Sequence, residues 1–107
     1  MRSLPQRVYF IHLPRHKSVK IGYSTNPARR LQEMQTLLPV PVFLIGTVLG
    51  GAELEREYHE RFKRYRTRGE WFSDHILPLV RRDILKTDDH GVNDPELSQF
   101  AGHLTEP

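Results

Sequence analysis

The chain has 107 residues, 37% of them apolar and 27% charged, which suits one small soluble domain with a modest core and leaves little room for a second folding unit. It contains no cysteine, so disulfide frameworks and thiolate zinc sites are excluded, and any metal must be held by oxygen or imidazole ligands. A formal charge of +3 favours an anionic partner, and the lack of a long apolar run or cleavable N-terminal stretch leads us to expect a cytoplasmic protein with no membrane association.

Residues 7–13, rich in β-branched and aromatic side chains, and residues 19–23 of the same texture predict a β-hairpin whose Pro, Arg, His and Lys tip is exposed and basic. Ser24-Thr25-Asn26-Pro27 then reads as a helix start, with Asn26 as N-cap and Pro27 at the first helical position. The short helix that follows, residues 28–37, puts Leu31, Met34 and Gln35 on one side and leaves Arg29, Arg30 and Glu33 on others. Pro39-Val40-Pro41 ends it. The nearly all-apolar residues 42–49 predict a strand buried on both faces and central in the sheet, closed by Gly50-Gly51.

A second helix is expected from Ala52 to about Arg66, with Leu54, Tyr58 and Phe62 as its apolar stripe, broken by Thr67-Arg68-Gly69. Glu55 and His59, at i and i+4, share one face of it, and Glu70 follows the break beside Trp71-Phe72, which read as core plugs. Residues 76–85 predict a last helix with Ile76, Leu79, Val80 and Ile84 inward. Residues 1–85 thus form the domain, and the polar residues 86–107 a loose tail. Basic residues gather at Arg29-Arg30, Arg61 to Arg68 and Arg81-Arg82, and acidic ones around Glu53 to Glu60 and in the tail. His12, His16, His75, His90 and His103 lack metal-ligand spacing.

The hairpin carrying Arg7-Val8-Tyr9 and Lys20-Ile21-Gly22, then Arg30, then the helix with Glu55 and His59, then Gly69-Glu70-Trp71-Phe72, resembles the GIY-YIG nuclease superfamily. It is similar in particular to the phage-type branch in which KIG replaces YIG and a GEWF-like motif closes the domain. The likeness spans positions 7 to 85 in the family's order. It implies an α+β fold, a small three-stranded antiparallel sheet flanked by helices, and hydrolysis of phosphodiester bonds, usually in DNA, with one divalent ion. Tyr9 falls on the tyrosine of the first motif, Lys20 and Gly22 on the ends of the second, Arg30 on the helix arginine and Glu70 on the metal-binding glutamate.

Such residues suit the chemistry. The Arg30 guanidinium can bind two phosphate oxygens at once, with Arg29 and Lys20 as further phosphate contacts, and Glu70 can hold Mg²⁺ or Mn²⁺ with waters completing the shell. Tyr9 or His59 could take the proton of the attacking water, Glu55 orienting His59. Lys20 stands where a second tyrosine often sits, so the identity of the base is open. Each residue also has a plain structural reading: Tyr9 as core, Gly22 as backbone geometry, Arg30 as surface, Glu55 with His59 as an exposed helix pair. Three classes compete: a DNA endonuclease, a nucleic-acid-binding module of the same fold that cleaves weakly or not at all, and a protein-interaction domain. RNA remains an alternative substrate. Oligomeric state is left open by the sequence.

Overall fold

The computed structural model describes residues 4–87. Its sheet has five strands, β1 (Arg7–Leu13), β2 (Ser18–Ser24), β3 (Phe43–Leu49), β4 (Arg66–Arg68) and β5 (Trp71–Ser73), in the order β3-β1-β2-β5-β4. All pairings are antiparallel. Three helices accompany it: α1 (Pro27–Leu37), α2 (Ala52–Arg61) and α3 (Leu77–Thr87). The α+β class is as the sequence predicts, but the sheet has five strands rather than three. The additional pair flanks Gly69, whose φ of 55° is a left-handed turn position that suits a residue without Cβ.

β1 is buried on both sides because its alternate side chains enter two separate cores. Val8 and Phe10 join Val19, Ile21, Tyr58, Phe62, Phe72, Ile76, Val80 and Ile84 in the larger one, filled from α2 and α3. Tyr9, Ile11 and Leu13 join Val42, with Leu31 and Met34 of α1 and Trp71 packed against them, in the smaller. The sheet is therefore sandwiched between α1 on one face and α2 with α3 on the other. Phe72 plugs the core fully, whereas Trp71 is only partly buried.

The apolar run expected to be a central strand is β3, which lies at the sheet edge and pairs only with β1. Its apolar character reflects helices on both faces, since Ile45 and Val48 meet the larger core and Leu44 the smaller, while Phe43 and Leu49 stay exposed. α2 also stops earlier than expected, at Arg61, and a 3₁₀ turn over Lys63–Tyr65 leads into β4. Tyr58 Oη donates to Asp83 Oδ2 at 2.9 Å, tying α2 to α3; burial and that carboxylate push the phenol's pKa well up. α3 runs to Thr87, two residues beyond the expected domain limit; the remainder of the predicted tail lies outside the described residues.

The hairpin and first helix match expectation in detail. Pro14–His16 forms an exposed 3₁₀ turn at the tip. Asn26 Oδ1 accepts from the Arg29 backbone N–H at 3.1 Å, with Pro27 opening the helix. That cap also fixes where α1, and hence Arg30, begins. Asn26→Ala should lower unfolding free energy by about 1 kcal/mol, read from urea denaturation, with Asn26→Asp near wild type. Equal losses in both variants would show that the cap contributes nothing.

Candidate functional site

β2 is the strand around which the expected site residues collect. β5 pairs with it only from Ser18 to Lys20, so the β2 edge beyond Lys20 lacks a strand neighbour. Two groups fill the gap. The Ile21 backbone N–H donates to the Glu70 carbonyl at 3.0 Å, and the Ile21 carbonyl lies 3.0 Å from His59 Nε2. A carbonyl only accepts, so Nε2 must carry the proton, leaving Nδ1 as the lone-pair nitrogen of the neutral ring. The His59 ring also rests edge-on against Phe72, centroids 5.0 Å apart. Helix α2 and the turn before β5 are thereby brought to one point on β2.

On the α1 face, Tyr9 is the cross-strand partner of Gly22. A Cβ built on Gly22 would stand 2.4 Å from the Tyr9 hydroxyl oxygen and 2.5 Å from the ring carbon bearing it. The phenol thus occupies the space that a side chain at position 22 would need. Tyr9 is 1% exposed, so its ring is enclosed by protein. Arg30 of α1 lies close enough to Tyr9 that the phenol is the first reason its pKa is raised, with Glu33 adding to it. Lys20 Nζ lies 5.8 Å from the centre of the Tyr9 ring, in cation–π range, and 3.4 Å from Glu70 Oε1.

Contacts therefore run from Arg30 through Tyr9 and Lys20 to Glu70. Glu55 and His59 extend them, because burial and then the charge of Glu70 raise the Glu55 pKa, while His59, Lys20 and Arg56 oppose the rise. Tyr9, Lys20, Arg30, Glu55, His59 and Glu70 form one continuous set. Arg29 does not join it: its side chain is largely exposed and pairs with Glu33 at 3.5 Å. Glu33 is the participant the sequence reading left without a role. It also holds Arg30, at 3.2 Å, and its i+3 and i+4 spacing from the two arginines was the available signal.

Glu70 is paired, but not locked away. Its partner Lys20 belongs to the same set, their separation is longer than a charge-assisted hydrogen bond, and the Glu70 side chain is 44% exposed. Among the described residues no three His, Asp or Glu side chains are grouped as a metal cage. The donors fit a hydrated hard ion instead: an accessible carboxylate with a second carboxylate close enough to feel its charge, and no thiolate. Of the remaining histidines, His12 meets Asp74 at 3.2 Å and His75 meets Ser73 at 3.1 Å; His90 and His103 lie outside the described residues.

An antiparallel sheet with helices on both faces, and with Lys20, Arg30 and Glu70 gathered about β2, defines an α+β domain. Residues 6–87 match the T5orf172 domain, and the chain belongs to that family, a GIY-YIG-related family of phage domains. No curated protein and no solved structure is significantly similar to it. Among the described residues no helix is long and apolar enough to cross a membrane.

Two measurements check this geometry. Gly22→Ala should lower stability by about 1–3 kcal/mol in thermal or urea unfolding, because the buried phenol must be displaced; an unaffected variant would mean that Tyr9 does not occupy the space over Gly22. Glu55 carries a raised pKa, so its ionised form disfavours folding above that pKa and the penalty vanishes once pH falls below the ordinary value of 4.5. In metal-free buffer Glu55→Gln should therefore melt higher than wild type at neutral pH, with the gain disappearing below that value. A lower melting temperature at neutral pH would contradict the partly buried placement of Glu55 near Glu70.

Proposed function

We propose that the domain is a divalent-metal-dependent endonuclease that hydrolyses phosphodiester bonds in DNA. The observation that carries this reading is the unbroken contact path from Arg30 through Tyr9 and Lys20 to Glu70, in a member of a GIY-YIG-related family.

Arg30, charged at any working pH and lying beside Tyr9, binds the phosphate oxygens. Lys20 brings a second cation from β2, with three donors free to turn between Glu70 and phosphate. Glu70, assisted by Glu55, would hold Mg²⁺ or Mn²⁺, which when bound supplies Lewis-acid stabilisation of the leaving oxygen. Tyr9, buried and lying close to both Arg30 and Lys20, serves as a positioning group. His59, with Nε2 committed to the Ile21 carbonyl, accepts the proton of the attacking water at Nδ1. Breaking the P–O bond then places negative charge beside Arg30 and Lys20, where preorganised cations lower its energy.

One observation favours a second reading, a nucleic-acid-binding module with weak cleavage or none. Lys20 replaces the second tyrosine of the wider superfamily and already pairs with Glu70, so it competes with a metal ion for the carboxylate.

Nicking of supercoiled plasmid separates the two. Cleavage with Mg²⁺ or Mn²⁺ should be lost in EDTA and in Glu70→Ala, and should fall by about 10²–10³ in Arg30→Ala and about 10²–10⁴ in His59→Ala. Cleavage that persists unchanged in Glu70→Ala would refute the proposed site. Salt-dependent DNA binding without cleavage under any metal would establish the second reading.

A further inference from the structure

Beside Arg30 and Lys20 a groove continues along α1, lined by Lys20, Arg30, Glu33, Met34, Thr36 and Leu37 and enclosing about 530 Å³. Its character changes along its length. Lys20 and Arg30 supply two cations at one end, while Met34 and Leu37 make carbon walls at the other. Leu37 is 82% exposed, more than any other large apolar side chain among the described residues. The core does not account for it, since Leu31 and Met34 are the α1 side chains that pack on the sheet.

A nucleotide has the same polarity as this groove, with anionic phosphate at one end and a flat, weakly polar base at the other. In a continuous duplex the base faces are stacked on one another and only their edges are presented. Contact between a base face and a side-chain wall requires an unstacked base, as in single strands, flaps and loops. A leucine and a polarisable methionine offer that wall, and thioether contact with an aromatic ring is favourable. Thr36 lines the same groove but its hydroxyl already donates to the Gln32 carbonyl at 2.9 Å, so the wall presents little competing polarity.

We infer that this groove seats the base of an unpaired nucleotide whose phosphate lies against Lys20 and Arg30, so that the domain prefers single-stranded or branched nucleic acid to continuous duplex. The inference rests on the phosphate-binding part of the reading above and not on cleavage. Glu33 sits between the two ends of the groove and holds Arg30 in the free protein, so an arriving phosphate must displace it. That exchange suits a ligand that brings both a charge for Arg30 and a face for Leu37.

Fluorescence anisotropy in EDTA, with labelled oligothymidylate and a blunt duplex of equal phosphate count, tests the inference on the full chain. Wild type should bind the single strand more tightly. Leu37→Ser should weaken single-strand binding severalfold, through the loss of apolar contact with the base, and leave duplex binding nearly unchanged. Arg30→Ala should weaken both. Leu37 is exposed, so its replacement leaves the core intact, and an unchanged thermal melt checks this. Equal affinity of wild type for the two ligands, or a Leu37→Ser variant that binds oligothymidylate as wild type does or loses both ligands alike, would overturn the inference. So would sedimentation showing a wild-type dimer that Leu37→Ser dissociates, since the groove would then belong to a second copy. Because binding is read without metal, failure of plasmid cleavage would refute the nuclease reading and leave this one standing.

Discussion

The whole site depends on a missing side chain. Tyr9 and Gly22 face one another across β1 and β2, and the phenol lies where any Cβ at position 22 would be. This arrangement buries a tyrosine against the strand that also carries Lys20, and turns its hydroxyl toward Arg30. A contact between two neighbouring strands thus organises side chains contributed by β2, α1 and, through Lys20, the turn before β5.

The second constraint is the late start of β5, at Trp71 opposite Lys20. Had β5 begun several residues earlier, the backbone groups of Ile21 would both have been consumed by a strand ladder. Instead the Glu70 carbonyl and the His59 ring complete them, and both residues are delivered to the strand edge by ordinary hydrogen bonding. Opposite charges then balance at close range. Lys20 faces Glu70, Arg30 faces Glu33, and burial, with the charge of Glu70 added to it, raises the Glu55 pKa.

Much of this was legible from residue patterns, and what was not has physical reasons. The hairpin, the Asn26-Pro27 helix start and the inward stripe of α3 follow from local propensity and period, and the structure repeats them. β4 and β5 are three residues each, too short for alternation to register, and Arg66 and Arg68 are exposed. The edge position of β3 was hidden because an apolar run reports how many faces are covered, not how many strands lie alongside. The Tyr9 and Gly22 seat requires a register that single motifs do not encode. The commitment of His59 Nε2 to a backbone carbonyl left no trace in composition or spacing. The ordered motif set reached Tyr9, Lys20, Arg30, Glu55, His59 and Glu70, whereas Glu33 became visible only when α1 and its arginines were seen together.

The central claim is that these residues make one site for a phosphate and a divalent cation at the open edge of β2. A crystal structure of the protein soaked with Mn²⁺ and a thymidine bisphosphate, with anomalous scattering used to locate the metal, tests it most directly. The account predicts a manganese peak on the Glu70 carboxylate with a phosphate bound by Arg30 and Lys20 beside it. Manganese and phosphate bound away from Glu70 and Arg30, with the Lys20 and Glu70 pair undisturbed, would contradict it.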